Sequence, residues 1–259
     1  MMASMALPSL DALEDLVRRG GDLALARRGR VTAEEKADRT LVTEADREVE
    51  AFLVSALAAI VPEAAVLAEE GSVRTGAGSL CIVIDPIDGT SAFLAGLPTW
   101  CVSLGVLEGG RAIAGVVHVP CTGETYGAAA GVARLNGRPM PALPGRGPAP
   151  EPYIVVPAKL HLQRRLRYPG KARALGSAAH HLALVARGSA EAALLEPAYL
   201  WDIAGAAAIL AAVDGTLCYA SGAAVDLEAL RDGRRAPDDI IAAPTDRIDE
   251  FLDLLGAGA

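Results

Sequence analysis

The sequence predicts an α/β fold of layered sheets and helices, and three observations carry that reading. Short apolar runs such as Leu80-Cys81-Ile82-Val83-Ile84 read as buried strands. They alternate with stripes such as Val49, Phe52, Leu53, Ala56, Leu57 and Ile60, whose spacing is helical. No glycine-rich nucleotide fingerprint accompanies the alternation, which leaves layered sheets and helices.

In chain order, residues 7–29 form a first helix whose middle is weakened by Gly20-Gly21, a place for a kink or for close packing. Residues 34–42 read as a loop. Thr43 caps a helix whose first turn holds Glu44 and Asp46, where acids suit the dipole; it runs to Val61 and stops before Pro62. Residues 65–68 are a strand ending in Glu69-Glu70, of which only one should face a shared site. Residues 100–107 and 112–119 pair through the hairpin signal Glu108-Gly109-Gly110-Arg111, and residues 125–129 and 133–136 form another hairpin. Six prolines between positions 139 and 152 mark a seam between two halves, 1–140 and 151–259. Beyond it, strands at 153–156, 192–195, 216–219 and 239–243 alternate with helices at 159–167, 178–187, 203–213 and 246–255.

At 259 residues the chain can bury a real core, and its 52% hydrophobic share with only 4% aromatics implies helices built from small residues. A net charge of -8 without a Lys/Arg block excludes nucleic-acid backbones and anionic membranes as expected partners. An acidic protein that handles phosphate needs metal ions to offset the repulsion. Cys81, Cys101, Cys121 and Cys218 form no C-x-x-C pair and read as buried, reduced thiols. With no cationic-then-apolar leader, a cytoplasmic location is expected. The uncharged stretch 89–107 is as long as a bilayer span, but Gly96, Pro98, Thr99, Ser103 and Gly105 break it, so no membrane span is expected.

The chemistry gathers at Asp85-Pro86-Ile87-Asp88-Gly89-Thr90. Pro86 stops the ladder and Gly89 permits a tight turn into a helix opened by Ser91-Ala92-Phe93. Two aspartates leaving a strand end on a rigid turn can converge, and converging anions call for a hard dication such as Mg²⁺. The amides of Gly89 and Thr90 then offer a place for phosphate. Taken alone, two aspartates near a glycine are more often a turn and a helix cap. Four segments together outweigh that: Thr43-x-x-Asp46, Glu69-Glu70, Asp85-x-x-Asp88-Gly89-Thr90 and Trp201-Asp202.

In these segments the sequence resembles the inositol monophosphatase family of Mg²⁺-dependent, lithium-sensitive sugar and cyclitol phosphatases. The two signatures are matched by residues 85–93 and by Trp201-Asp202-Ile203-Ala204-Gly205-Ala206, and the shorter blocks by residues 41–46 and 69–71. The resemblance implies an αβαβα sandwich of the inositol monophosphatase/fructose bisphosphatase type, with the site in the cleft between the halves. It implies two or three Mg²⁺ ions: one on Glu69, Asp85 and the Ile87 carbonyl, a second on Asp85, Asp88 and Asp202, and a third, weaker one shared by Glu69. It makes Thr90 and Asp46 the pair that orients and deprotonates the attacking water, with Glu69 also in the catalytic set. It assigns the small phosphate-ester substrate to Gly89, Thr90, Gly176, Ser177, Ala178, Glu196 and Asp202. A homodimer is implied too, with the uncharged residues 96–107 serving as interface or as core.

Taken singly, Asp202 reads as a helix N-cap, Glu70 as a solvated acid and the four histidines as structural, with His180-His181 the pair to watch after the Gly176-Ser177-Ala178 turn. Glu196 lies one residue closer to Asp202 than in typical inositol phosphatases and is followed by Pro197, which reshapes the specificity loop. Gly96-Leu97-Pro98-Thr99-Trp100 is similar to the histidinol-phosphate phosphatase branch. From the family resemblance inositol monophosphate leads as the expected substrate, with histidinol phosphate, a nucleotide 3′-phosphate or fructose bisphosphate behind it. A haloacid-dehalogenase reading of Ile87-Asp88-Gly89-Thr90 fails because that chemistry needs an aspartate two positions before Asp88, where Pro86 stands. A non-catalytic metal- or phosphate-binding regulator is the rival from another class.

Overall fold

The computed structural model describes residues 7–35, 41–143, 151–163 and 166–255. The elements in chain order are α1 (Leu10–Arg27), β1 (Ala33–Glu35), β2 (Leu41–Thr43), α2 (Glu44–Ile60), β3 (Ala65–Ala68), β4 (Val73–Arg74) and β5 (Leu80–Asp88). Then follow α3 (Thr90–Leu94), β6 (Cys101–Glu108), β7 (Arg111–Val119), β8 (Glu124–Ala129), β9 (Val132–Leu135) and β10 (Arg138–Pro139). The remainder holds β11 (Tyr153–Val155), α4 (Leu160–Gln163), β12 (Lys171–Arg173), α5 (Ala178–Ala186), β13 (Ala193–Leu195), α6 (Leu200–Ala211), β14 (Gly215–Tyr219), β15 (Ile240–Pro244) and α7 (Ile248–Leu255).

Two large sheets organise these elements. One has the order β10-β9-β8-β7-β6-β5-β3-β4, the other β12-β11-β13-β15-β14. In β5, Leu80, Ile82 and Ile84 enter the core formed with α1 and α2, whereas Cys81 and Val83 enter the core that holds α5 and α6. This is the two-residue alternation of a strand buried on both faces. A third core joins the outer face of the five-stranded sheet to α4 and α7. The layers are therefore helix, sheet, helix, sheet, helix: the αβαβα sandwich.

Helix α6 lies against the larger sheet through glycines. A Cβ on Gly115 would overlap the Gly205 carbonyl, and one on Gly105 would stand 2.7 Å from the Ala204 Cβ. The small side chains let α6 approach the backbone of β6 and β7, and Asp202 lies one helical turn before that contact.

Several expectations change. Strand β5 does not end at Pro86: pairing with β6 resumes at Asp88↔Cys101 after Asp85↔Ser103, so Pro86 and Ile87 sit in a bulge where a missing N–H is tolerated. The expected loop at 34–42 contains part of a two-stranded antiparallel sheet of β1 and β2, while positions 36–40 lie outside the described residues. The helix expected over 159–167 is one turn, Leu160–Gln163, with 164–165 outside the described residues. Most of the proline-rich seam, 144–150, also lies outside them. Gly20 and Gly21 leave α1 unbroken and serve close packing, since a Cβ on Gly21 would stand 2.6 Å from the His118 ring. Within the uncharged stretch 96–107, Trp100 and β6 up to Leu107 are buried core, whereas Gly96, Leu97 and Pro98 are exposed.

Candidate active site

Asp85 continues the face of β5 that bears Cys81 and Val83, so it points toward the layer containing α6. After the bulge, Asp88 lies opposite Cys101, again on that side. Asp202 enters from the first turn of α6. It is not the N-cap expected from the sequence: Tyr199 is, and Asp202 is the third helical residue, whose Oδ2 accepts the Tyr199 N–H at 2.7 Å. One oxygen from each of Asp85, Asp88 and Asp202 lies within 4.8 Å of the others.

These acids are costly to bring together without a cation. Burial and the charges of Glu69, Asp88 and Asp202 push the Asp85 carboxyl well above the usual carboxylate range. Burial and Asp88 do the same to Asp202. For Asp88 burial outweighs four donors: the Ser177 hydroxyl at 2.6 Å, the Ala179 amide at 2.6 Å, the Ala178 amide at 3.2 Å and the Cys101 thiol at 3.7 Å. Asp85 Oδ1 is buried and has no hydrogen-bond partner among the described residues. A buried oxygen facing two further carboxylates matches the hard-oxygen set that a divalent ion of the Mg²⁺ type takes, so the residues fit a metal.

Glu69 follows β3, and its amide donates to the Ile84 carbonyl at 3.2 Å, which sets it beside Asp85 but outside the closest trio. Glu50, which the sequence reading passed over, accepts the Glu70 amide at 2.7 Å and the Ser72 amide at 3.0 Å and so holds this turn. It lies four residues after Asp46 on α2, a spacing that puts both acids on one helix face.

Asp46 is fully buried. Its Oδ2 accepts the Thr43 hydroxyl at 2.5 Å and the Thr43 amide at 2.8 Å, which closes the cap of α2. Its Oδ1 accepts the Thr90 hydroxyl at 3.3 Å, a bond that Thr90 shares with the Ile87 carbonyl at 3.2 Å. Burial outweighs these donors and raises the Asp46 pKa. Gly89, with φ +92°, turns the chain from β5 into α3. A Cβ there would stand 2.7 Å from the Gly176 carbonyl, so the two turns touch.

The 176–178 turn is tied to the acid cluster. Ser177 Oγ and the Ala178 amide are engaged by Asp88, and the Ala179 amide, absent from the expected set, joins them. Glu196 is half-buried just after β13, in the connection leading to α6. Trp201 stacks on Tyr199 with ring centroids 4.6 Å apart.

Layer order, paired turns and an acidic cluster able to hold a metal, beside a hydroxyl–carboxylate pair, are the features of a phosphoric monoester hydrolase. The chain belongs to the inositol monophosphatase family, whose family model matches residues 8–250. It is 33% identical over 221 residues to a fructose-1,6-bisphosphatase/inositol-1-monophosphatase of Thermotoga maritima, covering 82% of this chain and 85% of that protein. It is 31% identical to a histidinol-phosphatase of Chlorobaculum parvum, covering 80% and 84% of the two chains. A solved IMPase structure from Thermotoga maritima superposes with a TM-score of 0.79 at 29% identity, over 94% of this chain and 95% of that one. Among the described residues no helix is long and apolar enough to cross a membrane.

Proposed function

We propose that this chain hydrolyses a small sugar or cyclitol phosphate, with inositol monophosphate the leading substrate, in a Mg²⁺-dependent reaction. The observation that carries the reading is the trio Asp85, Asp88 and Asp202 within 4.8 Å, with Asp85 Oδ1 lacking a hydrogen-bond partner among the described residues. In this reading Glu69, Asp85 and the Ile87 carbonyl hold one ion, and Asp85, Asp88 and Asp202 a second. A third ion would share Glu69. The Ile87 carbonyl keeps a second lone pair beyond its bond from Thr90. Bound Mg²⁺ supplies a lowered water pKa and charge neutralisation on the phosphoryl group.

The chain's own residues manage the proton. Thr90 donates to Asp46 Oδ1, which leaves the lone pairs of its hydroxyl oxygen to receive the attacking water. As the water oxygen bonds to phosphorus, its proton passes to Thr90, and the Thr90 proton passes to Asp46. Burial raises the pKa of Asp46, which makes it a better proton acceptor than an ordinary carboxylate. The P–O ester bond breaks, and the leaving oxygen takes a proton from solvent. The Gly89 and Thr90 amides orient the phosphate, while the 176–178 turn, Glu196 and Asp202 meet the alcohol. The cleft between an N-terminal half, 1–140, and a C-terminal half, 151–259, houses the reaction. The same reading expects a cytoplasmic homodimer.

A panel of phosphate esters assayed with and without Mg²⁺ tests this. Hydrolysis that requires Mg²⁺ and disappears in Asp88→Asn supports the enzyme. Binding of metal or phosphate without turnover of any ester would instead make the chain a regulator. Lithium at millimolar concentration is expected to inhibit, and insensitivity would count against the second-ion assignment. Histidinol phosphate is the second reading, favoured by the segment 96–100 and by the Chlorobaculum parvum relative. The ratio of kcat/KM for the two esters decides between them.

A further inference from the structure

Three segments meet at Leu175, the residue that leads into the 176–178 turn. Its N–H donates to His181 Nε2 at 3.1 Å, and its carbonyl accepts the Thr99 hydroxyl at 2.5 Å. The Thr99 carbonyl lies 3.0 Å from His180 Nδ1. A carbonyl only accepts, so His180 carries its proton on Nδ1. His181 Nε2 receives a donor, so that nitrogen carries none, and the His181 proton resides on Nδ1. Through the α5 backbone the three bonds close a ring that includes Thr99, Leu175, His181 and His180.

Both histidines are buried, and burial lowers both pKa values, that of His181 to about 3. The acceptor role of Nε2 requires His181 to be the neutral imidazole. The turn they hold is the one whose Ser177 hydroxyl and Ala178 and Ala179 amides grip Asp88, and whose Gly176 carbonyl abuts Gly89. Within this ring only His181 can accept the Leu175 amide, and the Thr99 carbonyl is already taken by His180.

We propose that His181, with His180 and Thr99, is a positioning residue that fixes the 176–178 turn, so that Ser177 and the first amides of α5 hold Asp88 in the orientation that metal binding requires. The inference rests on the metal-dependent reading for the role of Asp88 and adds what sets that residue's orientation. Histidine serves here as an uncharged acceptor, long enough to reach back six residues to the chain entering its own helix.

The full-length protein tests this with two variants of similar size. In His181→Gln the side-chain oxygen stands near the position of Nε2 and keeps an acceptor, whereas His181→Leu removes it. Mg²⁺ binding, titrated by calorimetry without substrate, is expected to weaken about tenfold or more in His181→Leu and to recover in His181→Gln. With substrate, the Mg²⁺ concentration for half-maximal rate should shift in parallel while kcat at saturation holds, because Asp46 and Thr90 are untouched. A purely packing role would lower the active fraction, and hence kcat, without moving the Mg²⁺ requirement. That result, or a glutamine variant no better than leucine, overturns the proposal.

If Mg²⁺ binding follows this pattern but no ester is hydrolysed, the positioning inference stands and the phosphatase reading falls. Should His181→Leu fail to fold, nitrogen-15 NMR of the unmodified protein decides. An Nδ1–H tautomer at His181 that does not titrate near the ordinary histidine value supports the ring. An Nε2–H tautomer overturns it.

Discussion

The Ser177 hydroxyl donates to Asp88 Oδ2 at 2.6 Å, while its oxygen accepts the His180 amide at 3.1 Å. One side chain therefore caps α5 and fixes a candidate metal ligand 89 residues earlier in the chain. The cap orients the helix, the helix presents the Ala178 and Ala179 amides, and all three donors converge on the same carboxylate.

Ser177→Ala removes both bonds at once. Loss of the cap should destabilise the protein by about 1–2 kcal/mol, read from the denaturant midpoint. The Mg²⁺ requirement should rise in the same variant, and Ser177→Thr should recover much of both. An alanine variant with unchanged midpoint and unchanged Mg²⁺ dependence would show that neither bond matters.

The acid cluster predicts how metal-free protein responds to pH. Asp85, Asp88, Asp202 and Asp46 all have folded pKa values raised above the unfolded ones, with burial the first cause in each. A raised carboxylate binds its proton more tightly in the folded state. Its contribution to stability is complete below the unfolded pKa, about 4, and is lost as pH climbs through the folded value. In chelator, the melting temperature should therefore fall as pH rises from about 4 toward neutrality. Saturating Mg²⁺ should offset the fall, increasingly so at higher pH, because the ion competes with protons for these oxygens. Asp85→Asn should flatten the chelator curve, keep the fold and abolish metal-dependent turnover. A chelator curve that rises with pH over this range would contradict the assignment.

How much of this was legible depended on whether a residue's role shows in its type. Helix α2 was readable to within a residue, because Thr43 is a strong cap, acids fill its first turn and Pro62 forbids continuation. The carboxylates of the site were readable because each stands at an element boundary. The short strands β1, β10 and β12 were not, since their residues are exposed and carry no apolar alternation. Tyr199 hid the true start of α6, because tyrosine is a poor capping residue and Asp202 looked like the better one. The grip on Asp88 comes largely from the amides of two alanines, and a backbone N–H leaves no mark on residue identity. The roles of Gly115 and Gly205 were hidden for another reason: two glycines far apart in sequence do not announce that they touch.

Thr90→Ala keeps the fold of a short helix and removes the hydroxyl between water and Asp46. The rate constant kcat should fall by about 10²–10⁴, the usual worth of a positioned proton acceptor, with little change in KM. Steady-state kinetics with the best ester from the panel reads this directly. A rise in KM at constant kcat would move Thr90 from proton transfer to binding.

The seat of α6 makes the last prediction. Asp202 reaches Asp85 and Asp88 only because the helix lies on the backbone of β6 and β7, where Gly115 meets the Gly205 carbonyl. A methyl group at position 115 faces backbone on the opposite side, which cannot rotate out of the way as a long side chain could. Gly115→Ala must therefore lift α6 or bend β7, and overpacking of this kind costs about 1–3 kcal/mol. Lifting α6 also carries Asp202 away from the two aspartates of β5, so Mg²⁺ affinity should fall along with the denaturant midpoint. If only the midpoint fell, the sheet would have yielded and the helix kept its height. An alanine variant matching the parent in both measurements would show that the glycine contact does not set the position of Asp202.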